Sequence, residues 1–195
     1  MKRCFDFAVS LVGIVLLSPV LVAIAIAVKC SSRGPVLFLQ ERVGRSFRRF
    51  KIYKYRTMVV DAPKLGLQIT AGEDPRITGV GRFLRKWKLD ELPQLFNVLT
   101  GDMSLVGPRP EVPRYVDMFR EEYACVLSVR PGITDPASLK YRDEASILAK
   151  STDPEQTYLH EILPEKIMLA KEYVAQASLR GDIVLIWKTI RHVAH

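Results

Sequence analysis

Cysteine and histidine are scarce in this chain of 195 residues, which contains three of each. The cysteines, Cys4, Cys30 and Cys125, are odd in number and show no spacing that is typical of a zinc site. The sequence therefore indicates neither a disulfide framework nor a zinc site, and the cysteines fit a reducing compartment as small buried side chains. Internal repeats and low-complexity linkers are also lacking, so the length indicates one domain with an appendage.

Acidic residues are almost missing from residues 29–56, which hold nine basic residues and one acid, Glu41. The whole chain has a net charge of +8, so the rest of it carries no net charge. Such a concentrated basic segment predicts a polyanionic partner, which would be nucleic acid, anionic lipid or a phosphorylated ligand. In residues 35–58, an apolar lead-in is followed by a turn at Gly44, after which aromatic and basic side chains alternate. This pattern predicts a β-hairpin or a strand against the bilayer surface. No nucleic-acid-binding motif accompanies them, so an anionic phospholipid bilayer is the better partner.

Charged residues are absent from residues 7–28, a run of 22 positions with basic residues on both flanks. Its length is sufficient for a membrane helix. Ser18 and Pro19 lie at its centre, where proline removes a backbone hydrogen bond and the serine hydroxyl can satisfy the freed carbonyl. Each half is then about ten residues long, roughly half the hydrocarbon thickness. We therefore predict a re-entrant helix-break-helix over residues 1–30 that enters one leaflet and returns.

Two other interpretations of this apolar run stay open. Proline is tolerated in spanning helices, so a kinked span is compatible with the same residues. Ala23, Ala25 and Ala27 resemble a signal-peptide cleavage site, although the run is longer than an ordinary signal core and continues past them. Basic residues at both ends give no inside-outside bias, so both ends of the run can remain in the cytoplasm.

Acids, bases and prolines are concentrated in the middle of the chain, where we expect the functional site. Asp90 and Glu91 are adjacent and precede a predicted helix over 93–99, whose dipole favours carboxylate ions near its start. Arg109 lies between two prolines, which restrict its backbone and reduce the entropy lost on binding an anion. Paired acids facing a fixed arginine fit phosphate chemistry, although an acid pair at a helix start can also serve the dipole alone.

The remaining segments predict a mixed α and β fold that is mostly helical, with a small β element. Glycine and proline are frequent in residues 59–81, which predicts a loop or flap near the site with a short strand at 68–70. A helical pattern divided by Pro164 begins at residue 154. The tail, residues 182–195, has the pattern of an amphipathic interfacial helix with a tryptophan anchor, and a core helix fits the same pattern.

Along nearly its whole length the chain resembles the bacterial sugar transferase family, the monotopic phosphoglycosyl transferases that begin glycoconjugate assembly. The resemblance rests on four segments after the apolar Ser18-Pro19 run: KIYKYRTM (51–58), DPRITGVGRFLRK (74–86), LDELPQLFNVLTGDMSLVGPRP (89–110) and RPGIT (130–134). It implies transfer of a phosphosugar from a UDP-sugar to polyprenyl (undecaprenyl) phosphate with release of UMP. It also implies a catalytic domain, residues 31–195, seated on the cytoplasmic face of the bacterial inner membrane.

The resemblance implies roles for individual residues as well. Asp90 would be the nucleophile and would form an aspartyl-phosphosugar in a ping-pong reaction. Mg²⁺ would be held at Asp90, and Glu91 would support the metal or prepare the lipid phosphate. Ser18 and Pro19 would form the break in the re-entrant helix. The residues that would bind substrate phosphate are Lys54, Arg85, Arg109 and Arg142.

Two departures from the family limit what the resemblance implies. Trp87 and Lys88 stand where relatives usually have small or hydroxyl residues, and residues 135–141 replace a glycine-rich stretch, so the identity of the sugar is not predicted. Two other functions stay open: a non-catalytic membrane module that binds anionic lipid, and a hydrolase that uses water as the acceptor. Nucleic acid is not an expected partner, and a homodimer is left open.

Overall fold

The computed structural model describes residues 1–62 and 74–194 and has the expected mixed, mostly helical fold. The strand predicted at 68–70 lies outside the described residues, as does half of the predicted flap. The helices are α1 (Lys2–Ser31), α2 (Gly79–Lys86), α3 (Gln94–Thr100), α4 (Pro113–Met118), α5 (Arg120–Val126), α6 (Pro136–Lys140), α7 (Glu144–Ala149), α8 (Pro154–Thr157), α9 (Leu163–Gln176) and α10 (Leu179–Ala194). The strands are β1 (Leu37–Val43), β2 (Arg49–Tyr55), β3 (Ser104–Val106) and β4 (Gly132–Thr134).

The helical run after residue 154 is divided near its proline, as predicted. Pro164 lies in the first turn of α9, where its missing N–H costs least, and α8 lies before that boundary. A π-helical turn, Tyr158–Ile162, joins α8 to α9.

The predicted β-hairpin is confirmed. β1 and β2 pair antiparallel, with Phe38 opposite Lys54, and the chain reverses after Gly44. Residues that lie opposite each other share one face of such a pair, and alternate residues of each strand point the same way. Phe38 and Lys54 therefore project from the same face as Arg42.

A second, parallel pair brings two distant motifs side by side. β3 leads into GPRP and β4 belongs to RPGIT, and the two strands pair in register from Ser104 with Gly132. The backbones meet so closely that a Cβ atom on Gly132 would lie 2.1 Å from the amide nitrogen of Gly107. Glycine is therefore required at this crossing, which fixes Arg109 beside the segment that follows β4.

The predicted interruption of the N-terminal helix is not found. α1 is one continuous helix of 30 residues with Pro19 inside it. Proline 19 leaves the Val15 carbonyl without its usual amide donor, and the Ser18 hydroxyl donates to that carbonyl at 2.8 Å. The hydroxyl replaces the lost hydrogen bond, as the sequence predicted, so the backbone can continue as a helix. Among the described residues this is the one helix long and apolar enough to cross a membrane.

Both ends of α1 are held by the rest of the domain. Near its start, Lys2 forms an ion pair with Asp182 of α10, and the buried Asp6 accepts hydrogen bonds from the side chain and backbone of β3. Further along, the Tyr55 hydroxyl donates to the Leu21 carbonyl at 2.7 Å, and at the end of the helix the Arg56 guanidinium donates to the Ser32 carbonyl at 2.7 Å. The side of α1 that faces away from the domain exposes large apolar side chains. The helix therefore lies along the domain and presents an apolar face outward.

A buried asparagine joins α3 to the hairpin. Asn97 is fully buried; its side-chain oxygen accepts from the Tyr53 amide at 2.9 Å, and its side-chain nitrogen donates to the Lys51 carbonyl at 2.8 Å. These two bonds satisfy backbone groups of β2 and fix the orientation of α3. Because Lys54 follows on β2 and the acid pair precedes α3, the same bonds set their relative position.

Two predictions about surface residues have different outcomes. α10 exposes Ile183, Val184, Trp187 and Ile190, as the interfacial pattern predicts. The prediction that the cysteines are buried is wrong, because all three side chains are exposed.

Candidate active site

The acid pair lies in a short 3-10 turn, Leu89–Glu91, immediately before α3. Lys88 precedes this turn in the left-handed conformation, with φ at 53°, which turns the chain sharply out of α2. Pro93 caps α3, which then ends at Gly101, again with positive φ. The helix predicted at 93–99 is therefore confirmed to within one residue. The local chemistry of the sequence places the acids at the start of a rigid helix.

Glu91 is held between two cations from different parts of the chain. The Lys54 ammonium donates to Glu91 Oε1 at 3.0 Å, and the Arg109 guanidinium donates to both carboxylate oxygens, to Oε2 at 3.1 Å. Burial alone would raise the pKa of Glu91, but the charges of Arg109 and Lys54 and their hydrogen bonds outweigh it and hold this pKa well below its ordinary value. Glu91 is therefore ionised and fully engaged as an acceptor.

Asp90 has a different environment. Its side chain is 8% exposed, and among the described residues its Oδ1 atom has no hydrogen-bond partner. Burial, and then the charge of Glu91, raise the pKa of Asp90, while Lys54 and Arg85 oppose that rise. An unpaired carboxylate oxygen in a buried position is costly unless a ligand satisfies it or a reaction uses it. The two adjacent acids therefore differ: Glu91 is bonded to two cations, whereas Asp90 has one oxygen available.

Arg109 is fixed through its backbone as well as its side chain. Its amide donates to Asp135 Oδ2 at 3.0 Å, and Asp135 Oδ1 accepts from the Ser138 amide at 2.6 Å at the start of α6. Asp135 is 2% exposed. One buried carboxylate therefore caps α6 and anchors Arg109, and the parallel pair of β3 and β4 brings the two segments together.

The other two predicted phosphate-binding residues lie differently. Arg85 is half-buried, donates to the Thr57 hydroxyl at 2.9 Å and has its pKa lowered by desolvation, against the opposing charge of Asp90. Arg142 is half-buried, and its guanidinium donates to the carbonyl of His192 near the end of α10. Arg142 lines the same cleft, but its guanidinium is bonded at α10 and away from the acid pair, so its role at phosphate stays a prediction.

A single cleft of about 1780 Å³ contains all of these groups. Its wall includes Asp90, Glu91 and the four cations predicted to bind phosphate. Its volume exceeds the roughly 300–1,000 Å³ of an ordinary small-molecule pocket. The cleft is therefore large enough for two substrates at once.

The described residues fit Mg²⁺ only if the substrate supplies further ligands. No group of three or more histidine, cysteine, aspartate or glutamate side chains among them could hold a metal ion. Mg²⁺ is commonly bound through one or two carboxylates together with substrate phosphates. Asp90 Oδ1 can serve as such a carboxylate ligand. Glu91, whose oxygens face Lys54 and Arg109, fits a supporting role better than direct coordination.

Sequence reasoning missed two sets of residues around the site. Asp135 precedes a proline at a helix start, a pattern that predicts a helix cap but not its bond to Arg109. Arg42, Glu111 and Tyr158 form a buried network in the cleft wall, and they come from three distant segments. No local pattern in the sequence indicates that these three meet.

Replacing Asp135 by alanine is expected to lower kcat/KM for sugar-phosphate transfer roughly tenfold or more, because Arg109 loses its backbone anchor. Asp153→Ala is a matched control: Asp153 also precedes a proline and caps a helix, α8, but it lies outside the cleft. Each change removes a cap worth about 1 kcal/mol. Thermal unfolding should therefore shift in both, and further in Asp135→Ala, where the Arg109 amide also loses its acceptor. Asp135→Asn should recover part of the activity. Equal activity loss in both alanine variants would contradict a positioning role for Asp135.

Glu111 should contribute stability that depends on pH. Burial raises the pKa of Glu111, but Arg42 and the Tyr158 hydrogen bond outweigh it and leave the pKa below its ordinary value. The stabilisation is then present above the ordinary glutamate pKa and is lost as the pH falls through the lowered one. Glu111→Gln is expected to reduce the free energy of unfolding at pH 7 by about 3 kcal/mol, and by less in acid. Glu41→Gln, which breaks an exposed pair with Arg49, should change it little. A pH-independent loss would contradict the ionised network.

Comparison with known proteins gives a consistent result. The family model described as bacterial sugar transferase matches residues 1–195. The UDP-N-acetylgalactosamine-undecaprenyl-phosphate N-acetylgalactosaminephosphotransferase of Aeromonas hydrophila is 40% identical over 195 residues, which cover 98% of this chain and 43% of that protein. The UDP-glucose:undecaprenyl-phosphate glucose-1-phosphate transferase of Escherichia coli (strain K12) is 39% identical, over 97% of this chain and 39% of that protein.

A shorter relative matches over most of its own length. The exopolysaccharide production protein ExoY of Sinorhizobium fredii (strain NBRC 101917 / NGR234) is 30% identical over 97% of this chain and 83% of that protein. The chain spans less than half the length of the Aeromonas and Escherichia proteins. Because the family model matches every residue and the acid pair, GPRP and RPGIT converge on one cleft, the chain belongs to the bacterial sugar transferase family.

Proposed function

We propose that this protein transfers a sugar 1-phosphate from a UDP-sugar to undecaprenyl phosphate at the cytoplasmic face of the bacterial inner membrane. The observation that carries the proposal is the state of Asp90: a buried carboxylate with an unpaired oxygen, beside a glutamate already neutralised by two cations. The Aeromonas and Escherichia relatives are named as sugar-phosphate transferases that use undecaprenyl phosphate, which supports the same class of reaction here.

In the first step, an Asp90 carboxylate oxygen attacks the β-phosphorus of the UDP-sugar. A bond forms between this oxygen and phosphorus, the bond from phosphorus to the bridging oxygen breaks, and UMP leaves with the electron pair. In the second step, an oxygen of undecaprenyl phosphate attacks the same phosphorus. The aspartyl oxygen then departs as a carboxylate, which restores Asp90 and gives undecaprenyl-diphosphate-sugar. Two sequential displacements of this kind give ping-pong kinetics.

The cations around Asp90 have separate tasks in this scheme. The donor diphosphate and the acceptor phosphate are both anions, so positive charge must be in place before either approaches the carboxylate. Lys54 and Arg109 are both bonded to Glu91. Arg85 is not part of that pair of bonds, and its charge acts on the Asp90 carboxylate. Mg²⁺ bound at Asp90 and the diphosphate would supply further neutralisation of phosphate charge. Glu91 thus orients the cations and is not the nucleophile.

The placement of α1 supports a membrane-seated enzyme. Both ends of the helix contact the same domain, through Asp182 near the start and Arg56 at the end. A helix held this way is better explained by entry into one leaflet than by a full span with its ends on opposite sides. The exposed apolar side chains of α10 give a second surface that suits the interface. The bilayer and a homodimer stay proposals.

The test is to supply the protein in nanodiscs with undecaprenyl phosphate, Mg²⁺ and one UDP-sugar at a time, and to measure UMP and the lipid product. We expect stoichiometric UMP and undecaprenyl-diphosphate-sugar with one sugar or a few. The proposed first step alone releases one UMP per enzyme molecule. UMP release over many turnovers without a lipid product, independent of undecaprenyl phosphate, would instead show a hydrolase. No UMP with any donor would favour a non-catalytic module that binds anionic lipid.

A further inference from the structure

The cleft changes in chemistry along its length, and β1 shows the direction of the change. Phe38, Gln40 and Arg42 are alternate residues of one strand, and all three line the cleft. Phe38 lies opposite Lys54, whose ammonium binds Glu91. Arg42 lies roughly 14 Å further along the strand, within its network with Glu111. One end of the cleft is therefore apolar and close to the acid pair, while the other end is polar.

Exposed apolar side chains from three segments form the apolar end. Phe83 on α2 and Trp87 at its end are four residues apart, a spacing that places both on one side of a helix. Both line the cleft although 58% of Phe83 and 38% of Trp87 is exposed. We use the term apolar mouth for Phe38, Val60, Phe83 and Trp87, which are four of the exposed apolar residues that line the cleft.

The apolar mouth adjoins the membrane helix. Leu84, next to Phe83 on α2, is buried in one cluster with Leu21, Ile24 and Val28 of α1. Arg85 follows in the chain and extends into the cleft, where its charge interacts with that of Asp90. The mouth is thus an apolar wall that begins beside the apolar helix and has a cation at its inner end. Such an arrangement matches an amphiphile with an apolar chain and an anionic head.

We propose that the apolar mouth binds the first isoprene units of the acceptor lipid and directs its phosphate to Arg85. This inference rests on the proposed function, which supplies a polyprenyl phosphate as acceptor. The nucleotide-sugar suits the opposite end, because its hydroxyl groups and base edges need polar partners and Gln40, Arg42 and Ser138 are found there. The two substrates then approach Asp90 from opposite ends of the cleft.

A kinetic test uses the double variant Phe83→Ser with Trp87→Ser, and Trp187→Ser as its matched control. Trp187 is an exposed tryptophan on α10 that does not line the cleft. The double variant is expected to raise the KM for undecaprenyl phosphate about tenfold, because apolar contact with the chain is lost. The KM for the UDP-sugar and the rate of the donor half-reaction should stay unchanged, which also shows that the variant is folded. Trp187→Ser should leave the acceptor KM unchanged.

A binding test that does not depend on turnover measures tryptophan fluorescence. The chain contains two tryptophans, so each can be observed alone. Trp187→Phe leaves Trp87 as the single tryptophan, and Trp87→Phe leaves Trp187. In nanodiscs without UDP-sugar, undecaprenyl phosphate should shift the emission of Trp87 and not that of Trp187.

Three results would overturn the inference, and a fourth would overturn the proposed function alone. An increase in the donor KM alone would show that the mouth contacts the nucleotide, and an equal effect of Trp187→Ser would show general membrane seating. An emission shift of Trp87 without any turnover would retain the lipid site and reject the proposed function. Turnover without an emission shift, and with an unchanged acceptor KM in the double variant, would retain the proposed function and reject the lipid site.

Discussion

Asp90→Asn is expected to abolish the covalent phosphosugar adduct and to lower turnover by roughly 10⁴-fold or more, as loss of a nucleophile does in other enzymes with covalent intermediates. The substitution keeps the size of the side chain but removes the charge and nucleophilicity of the oxygen that has no partner in the structure. Intact-mass measurement after incubation with UDP-sugar and Mg²⁺, without a lipid acceptor, should show an adduct on the wild type alone. The added mass would also identify the sugar.

The control for this experiment is Asp117→Asn. Asp117 is exposed on α4 and lies outside the cleft, so its loss should leave both adduct and turnover unchanged. If the wild type turned over with undecaprenyl phosphate yet formed no adduct with any donor, Asp90 would not be the nucleophile. Direct transfer between the two substrates, with Asp90 as a metal ligand, would then replace the two-step scheme.

Arg109→Lys is expected to lower kcat/KM roughly 100-fold, although the charge is kept. The guanidinium of Arg109 binds both oxygens of Glu91, and a lysine ammonium cannot reproduce that two-point contact. The lysine would leave Glu91 partly unpaired and would no longer hold the positive charge in a fixed place. Steady-state kinetics with both substrates varied would measure the loss.

The variant Glu91→Gln tests whether Arg109 acts through its contact with Glu91. Because Glu91 and Arg109 act as one unit, the double variant should lose much less than the product of the two single losses. Arg114→Lys is the matched control, since Arg114 pairs with Glu155 outside the cleft and should be nearly neutral. Independent, multiplicative losses would show that Glu91 acts directly on a substrate or metal rather than through Arg109.

The local features of this protein were predictable from its sequence. The apolar run of 22 residues, the hairpin around Gly44 and the helix that ends at Gly101 all depend on periodicity and turn chemistry between near neighbours. The bond from Ser18 to the Val15 carbonyl is likewise local, and it was expected from the adjacent proline. The acid pair and its arginine could be singled out because their residue types suit phosphate.

The tertiary structure alone decided what each of those residues does. Asp90 and Glu91 are neighbours in sequence, yet only the approach of Lys54 and Arg109 makes one a saturated partner and the other an available oxygen. The anchor of Arg109 at Asp135 depends on a parallel strand pair between distant segments, a contact that no local pattern encodes. Arg142 shows the same limit, since its bond to His192 depends on where α10 returns. The sequence determined which groups could do the chemistry, and long-range packing decided their charges and partners, because burial and ion pairing depend on contacts far apart in the chain.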